Sequence, residues 1–242
     1  MFYGAVKRSE SYAFIVNGDG TIAVFNSNRA EQRAGWTEFT SQGKFVSTVT
    51  IDDRVFANVV FDLGDGTENI VLCEFIAAKN MDLSTIYSGT AGVFDVSADF
   101  NDGAVVNVVD GNNYIGEFTV SGGEVDASGV LDTLDEAEIG YKFDVTLKTN
   151  PIDASVGNGP MTGIPRGIGS VVMDLNKTLS VSVNGTAMII RRVTDDMSQQ
   201  RKEFTGKKEF RLMGYSRDPQ VEITQTAPLP LQVNGLVAEL IF

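Results

Sequence analysis

The side chains of this chain that could do chemistry are carboxylates, and they come in pairs. Asp52/Asp53, Asp62/Asp65, Asp99/Asp102 and Asp195/Asp196 each place two acids within a few residues of one another. Two carboxyl groups facing each other across a cleft are the equipment of glycoside hydrolysis. Aspartate is also a favoured turn residue, because its carboxylate accepts hydrogen bonds from the backbone just downstream. In a chain with this many acids the turn role is the reading adopted here, and an acid-based hydrolase is the least favoured function. Calcium is tested in the same way. Asp62-Leu-Gly-Asp65-Gly-Thr-Glu68 and Asp95…Asp99-Phe-Asn-Asp102-Gly gather oxygen ligands, but neither has the spacing of a helix–loop–helix calcium loop. There is no histidine, which excludes Ser-His-Asp and Cys-His nucleophiles and His-bearing zinc sites. A single cysteine, Cys73, excludes thiolate clusters and an intrachain disulfide; set among Val71, Leu72 and Phe75, it reads as a small buried hydrophobe. No residue is therefore assigned as catalytic, cofactor-binding or metal-ligating, and no cofactor is expected.

Weaker motifs dissolve on inspection. Gly163-Ile-Pro-Arg-Gly-Ile-Gly169 lacks the Gly-Lys-Ser/Thr ending of a phosphate loop and the strand that should precede it. Asn176-Lys-Thr178 and Asn184-Gly-Thr186 are glycosylation sequons on paper only, since no basic segment followed by an apolar core opens the chain. Arg191-Arg192, Arg201-Lys202 and Lys207-Lys208 are the main basic clusters; against a net charge of −13 they are expected to pair with carboxylates rather than to grip DNA. The aromatics Phe2, Tyr3, Tyr12, Phe14, Trp36 and Phe39 fall at strand positions and are expected in the core, any exposed one favouring a sugar-binding alternative.

The elements that must position these residues are strands. Val, Ile, Phe and Thr crowd the segments between turns, 25 glycines mark the turns, and prolines number only 6. No apolar run approaches the roughly 18 residues of a membrane span. Tyr12–Val16, Asn17-Gly-Asp-Gly20 and Thr21–Phe25 form a hairpin signal; Trp36–Phe39, Lys44–Ile51, Arg54–Phe61 and Asn69–Phe75 follow as strands. Gly-Asp-Gly-Thr occurs at 18–21 and again at 64–67, a spacing of 46 residues, close to the roughly 40–50 of a four-stranded propeller blade. About one and a half blades are expected over 1–78.

Tyr87 to Thr149 reads as a small sandwich or barrel with strands at Val93–Val96, Ala104–Val109, Ile115–Val120, Glu124–Ala127 and Tyr141–Thr149. Leu134–Ile139 is a candidate single helical turn. After a loop over Asn150–Arg166, strands at Gly167–Asp174, Leu179–Val183 and Thr186–Arg191 lead past a polar segment, Val193–Lys202, into the last forty residues. There Phe210, Leu212, Val221 and Ile223 alternate, Pro228–Leu231 is a connector or edge, and Gly235–Phe242 reads as a strand buried on both faces or closing a sandwich. The fold class is all-β: propeller-blade-like strands over 1–78, a small β-sandwich or barrel over 79–150, and a C-terminal β-sandwich over 151–242.

The run Phe204-Thr-Gly-Lys-Lys208, Arg211-Leu-Met-Gly-Tyr-Ser-Arg-Asp-Pro-Gln-Val-Glu-Ile-Thr-Gln225 and Pro228-Leu-Pro-Leu-Gln-Val-Asn-Gly-Leu-Val-Ala-Glu239 resembles the C-terminal part of tailed-bacteriophage tail nozzle proteins, the tail tubular protein B or stabilisation protein type. Val24 to Phe39 is similar to the last propeller blade of that family, and Tyr87-Ser-Gly89 and Val120-Ser-Gly-Gly123 match its insert in place, while 101–113 departs from the pattern. The likeness covers most of 12–242 and is strongest over 166–242; the large N-terminal part of such proteins is expected to be missing. The resemblance implies a non-enzymatic virion structural protein: a homo-oligomeric ring, usually a hexamer, that meets adaptor and fibre proteins. Such a ring surrounds the path of double-stranded DNA during ejection without binding it specifically. The expected location is the virion tail, after synthesis in the bacterial host cytoplasm, with no membrane span. The alternative is a carbohydrate- or surface-binding β-sandwich module of the adhesin type, since fold alone does not decide function.

Overall fold

The computed structural model describes residues 4–7, 12–28, 32–62, 66–152, 155–156, 159–160, 165–191, 195–196, 199–225 and 227–241. The protein is all-β, and every regular element among these residues is a strand. The chain divides into two compact units, 1–110 with 115–143, and 111–114 with 144–242.

Unit one begins with a four-stranded antiparallel meander, β1 (Gly4–Lys7), β2 (Tyr12–Val16), β3 (Ile22–Asn28) and β4 (Arg33–Phe39), in sequential order. A three-stranded meander follows: β5 (Lys44–Ile51), β6 (Arg54–Asp62) and β7 (Glu68–Glu74). The two Gly-Asp-Gly-Thr turns occupy equivalent places. One joins β2 to β3 between the paired ends Val16 and Ile22, the other joins β6 to β7 between Asp62 and Glu68, and each loop has the same length. In the first, the Asp19 carboxylate accepts from the Thr21 backbone N–H at 3.0 Å and its hydroxyl at 2.9 Å. Gly20 follows with φ +89°, where a Cβ would sit 2.8 Å from the Lys44 Cβ, so only glycine fits. Residues 63–65 of the second turn lie outside the described residues, but Gly66 repeats the positive φ and its N–H donates to Asp62 at 3.0 Å. The repeat is thus a strand–turn–strand unit with a shared register.

β6 shows how sequence dictates facing. Val55, Ala57, Val59 and Phe61 are buried, while Arg54, Phe56, Asn58, Val60 and Asp62 take the other face. The buried row meets Phe14, Val16, Ile22 and Val24 in one core. Phe75, just past β7, stacks against Phe14 (5.6 Å between centroids) and Phe45 (6.0 Å).

The same core continues into a six-stranded sheet. Its strands are β8 (Asp82–Thr90), β9 (Val93–Asp95), β10 (Val105–Asp110), β11 (Asn113–Thr119), β12 (Glu124–Asp126) and β13 (Glu136–Tyr141), in the spatial order β11-β10-β13-β8-β9-β12. Phe94, Val106, Val108, Val125 and Ile139 are completely buried, each worth about 1.5–3 kcal/mol of transfer free energy. Segments on both sides of residue 78 therefore contribute to one buried cluster. Where the sequence suggests a helical turn at Leu134–Ile139, the chain is extended. Glu136–Tyr141 pairs with both β8 and β10, and sheet hydrogen bonds at the centre of the sheet outweigh a weak local helical preference. β8, in a stretch for which the sequence suggests no strand, is a nine-residue strand between β13 and β9.

Unit two is a sandwich of two sheets. β17 (Arg166–Thr178) is its long central strand, running past the Asp174 at which the sequence suggests it ends. It is flanked by β20 (Phe204–Arg211) and β23 (Val233–Ile241), with β21 (Tyr215–Ser216) on its first residues. The facing sheet has the order β14 (Thr146–Lys148), β22 (Glu222–Thr224), β18 (Ser182–Val183), β19 (Thr186–Ala187). A short ladder, β15 (Ser155–Val156) with β16 (Gly159–Pro160), occupies the 150–166 loop. Ile168, Val171, Met173, Leu175, Val183, Phe210, Val221 and Ile223 fill the space between the two main sheets. The Asn184-Gly185 hairpin forms as read, with φ of 46° and 79°. Pro228–Leu231 is a packed connector: Leu229 is fully buried and the Pro230 carbonyl accepts from the Leu179 N–H at 2.8 Å. β23 is covered on one face only and Val237 is exposed, so of the two readings of its apolar run it closes the sandwich rather than lying buried on both faces. Its outer face also carries polar pairs, with Ser170 bonded to Glu239 at 3.0 Å.

Candidate functional site

Several of the paired acids serve the backbone. Asp52 and Asp53 are the two residues between β5 and β6, both with positive φ (47° and 65°), and form the tight turn itself. Asp62 caps Gly66, and its partner Asp65 lies outside the described residues. Asp99 accepts the Tyr87 hydroxyl at 2.5 Å, while Asp102 accepts the Gly123 N–H at 2.8 Å. Asp95 accepts from Ser97 N–H (3.1 Å) and Oγ (2.6 Å), and Asp126 repeats the arrangement with Ser128. These bonds hold the Asp95 and Asp126 carboxyls below the usual range, side-chain hydroxyl first and backbone second. Asp195 and Asp196 are exposed. No group of three or more potential metal ligands converges among the described residues.

The remaining motifs are likewise engaged. Asn176 Nδ2 donates to Gln232 at 2.9 Å, and Asn184 accepts from the Glu222 N–H at 2.7 Å. Arg191 donates to the Gln199 carbonyl at 2.5 Å; Arg192 lies outside the described residues. Lys207 pairs in register with Asp174. Cys73 is half-buried against the core, and burial, then the nearby Asp82, pushes its thiol pKa up, away from reactivity. Phe2 and Tyr3 lie outside the described residues, Tyr12 and Phe14 pack in the core as expected, and Phe39 is partly exposed. Trp36 departs from the expectation: it is 64% exposed on the outer face of β4, against Phe25 at 4.7 Å.

A cleft of about 200 Å³ in unit two is lined by Arg166, Asn184, Tyr215 and Gln220, among others. Arg166 is itself buried and donates to the Ile152 carbonyl at 2.9 and 3.2 Å, which ties the 152 segment to β17.

The feature that stands out is the outer face of β5–β7. Register aligns Val49 with Phe56, Ser47 with Asn58 and Leu72, and Val60 with Ile70. A bulge between Phe45 and Ser47 adds Val46. Ile70 is 72% and Leu72 64% exposed; Val46, Val49 and Ile51 are about half exposed. Five such side chains present on the order of 500 Å² of apolar surface, the upper range for the largest patch on a monomer. Charges sit only at strand ends. Arg54 lies 5.1 Å over the Phe56 ring and forms a bidentate ion pair with Glu74, which holds that carboxyl below its usual range. Lys44, Asp62 and Glu68 complete the other end. Two cations against three anions leave this face near neutral on a chain of net charge −13.

This surface had a signal in the sequence. Asn69-Ile-Val-Leu-Cys-Glu-Phe75 is apolar at both odd and even positions, the mark of a strand covered on both sides. The core covers Val71 and Cys73, while Ile70 and Leu72 point outwards. A scan against protein-family models finds no match for this chain, and a search of curated proteins finds none.

Proposed function

We propose that this chain is a non-enzymatic structural component of a phage virion tail, of the nozzle or tail-tube kind, that lines part of the DNA exit channel by subunit assembly. The observation that carries this reading is the apolar, nearly uncharged outer face of β5–β7 on an otherwise acidic protein. A protein of this charge repels its own copies, so contact between them requires a surface that lacks the charge. The likeness of 204–239 to the nozzle C-terminal part supports the same reading, as does the blade-like order of β1–β4. Net negative charge suits a channel through which DNA passes without adhering. Expected neighbours are adaptor and fibre proteins, with the virion tail as location after synthesis in the host cytoplasm.

Light scattering over a concentration series, followed by electron microscopy of the largest species, tests the proposal. Closed rings with an opening wide enough for duplex DNA are expected; open or irregular assemblies at every concentration refute it. The carbohydrate-binding alternative has two observations in its favour, the exposed Trp36 on β4 and the exposed Tyr215 at the unit-two cleft. That cleft is smaller than the roughly 300–1,000 Å³ of ordinary ligand pockets, and glycan-array binding competed by free sugar would be required to prefer it.

A further inference from the structure

Unit one has a second outward apolar face. On β2–β4, Ala13, Phe25 and Trp36 align in register, beside the row Ile15, Ala23 and Glu38. The opposite sides of these strands, with Phe14, Ile22 and Val24, share one core with Val55, Val59 and Phe61 of β6. The inner faces of the two meanders are therefore turned to a common interior, and their outer faces point away from it. Sheets that are apolar on both sides are built to be sandwiched, and among the described residues of unit one each meander is packed into the core on one side, while the other side leaves Ile70 and Leu72 exposed on β5–β7 and, on β2–β4, Trp36 exposed beside half-buried Ala13, Ile15, Ala23 and Phe25.

We propose that these two faces are complementary halves of a single contact: the outer face of β5–β7 in one copy covers the Trp36 face of β2–β4 in the next. This rests on the assembly reading above and specifies its interface. Three observations select a second copy as the occupant. The β5–β7 face offers roughly 500 Å², which the Phe56 and Val60 side chains and the polar strand ends extend towards the ~800 Å² per partner of a stable interface. Both faces carry little net charge, the β5–β7 charges lying at strand ends as two cations against three anions and Glu38 being the one charged side chain in the two aligned rows of β2–β4, so copies of a −13 chain can meet there. Trp36, large, exposed and propped by Phe25, is the kind of anchor that dominates interfaces, and the Leu72–Ile70 surface is the apolar counterpart it needs. Because the two faces differ, the contact is head-to-tail and propagates, closing into a ring where the rotation allows. A face-to-face pairing of two β5–β7 sheets would instead stop at a dimer and leave Trp36 in water.

The test blocks one face at a time in the full chain. Leu72→Asp removes the first face and Trp36→Asp the second. Both positions are exposed, so circular dichroism and thermal midpoints are expected to match the wild type. Ile70→Asp and Trp36→Lys replace them if either loses its transition. Light scattering should show concentration-dependent multimers for the wild type and monomer mass for each variant alone. An equimolar mixture of the two variants should form a 1:1 dimer and nothing larger, since one intact face of each kind remains. Dimers of Trp36→Asp alone, multimers that persist in either variant, or a wild type that stays monomeric overturn the proposal. Rings that survive both substitutions would overturn this interface while leaving the nozzle reading intact. A 1:1 mixed dimer from a wild type that grows only open chains would do the reverse.

Discussion

Asp82 should make the stability of unit one depend on pH in a range where little else titrates. It opens β8, and burial raises its pKa from 3.8 to about 6, only partly offset by a hydrogen bond from Ser41. Its Oδ2 is buried and accepts no hydrogen bond. The ionised form is therefore disfavoured in the folded state relative to the unfolded chain. A raised carboxyl pKa means that the folded state holds the proton more tightly. The associated stability is fully present below the unfolded pKa near 4 and is lost as pH rises through about 6. A shift of about two units corresponds to about 3 kcal/mol in all, of which a little over 1 kcal/mol falls between pH 5 and 7. Asp19, Glu74, Asp95 and Asp126 have lowered pKa values and work in the opposite sense, but their contribution is complete by about pH 5. With no histidine in the chain, no side-chain type present has an ordinary pKa between 5 and 7, the interval that Asp82 enters. Trp36, the single tryptophan, lies in unit one, and at dilutions where light scattering gives the monomer mass its fluorescence reports the unfolding of that unit. Urea titrations followed by its fluorescence should place the wild-type midpoint about 0.5–1 M lower at pH 7 than at pH 5. Asp82→Asn should have nearly equal midpoints at the two pH values and should exceed the wild type at pH 7. The reasoning is refuted by a wild-type midpoint that does not move, or by a variant that keeps the wild-type slope.

Other outcomes follow from single sites. Phe94→Ala, at a fully buried position shared by β8, β9 and β12, should cost about 3–5 kcal/mol, read as a lower urea midpoint of the Trp36 signal. Gly20→Ala meets both a φ of +89° and the Lys44 Cβ at 2.8 Å, and should cost about 1–3 kcal/mol in the same assay. Thr178 Oγ1, fully buried in unit two, donates to Asn176 or Gln232 and accepts from the Gln232 N–H. Thr178→Val should cost about 1–3 kcal/mol by orphaning these groups, seen in calorimetry as a lower midpoint for unit two with unit one unchanged. Cys73, half-buried with a raised pKa, should react with a thiol reagent at neutral pH far more slowly than in the unfolded chain; equal rates would contradict its place against the core.

Strand identity was legible wherever a period of two was clean. Tyr12–Val16, Lys44–Ile51, Arg54–Phe61 and the Asn184-Gly185 hairpin occur close to where alternation and turn chemistry put them. The reason is local: side-chain facing and positive-φ turns are properties of a few adjacent residues. The turn role of the acids was readable on the same grounds. β8 and β13 were not, because Asp82–Thr90 and Glu136–Tyr141 are polar in part and gain their extended form from neighbours on both sides in the sheet.

The sequence by itself determined an all-β chain without histidine chemistry, a repeated strand–turn–strand unit, and strands such as Asn69–Phe75 that seek cover on two sides. Only the tertiary structure decided which of those sides the chain covers for itself. Val71 and Cys73 face the core that both meanders share, and Ile70, Leu72 and Trp36 face water. Alternation fixes that two faces exist, but which one is buried depends on contacts between segments far apart in sequence, and no local pattern encodes those.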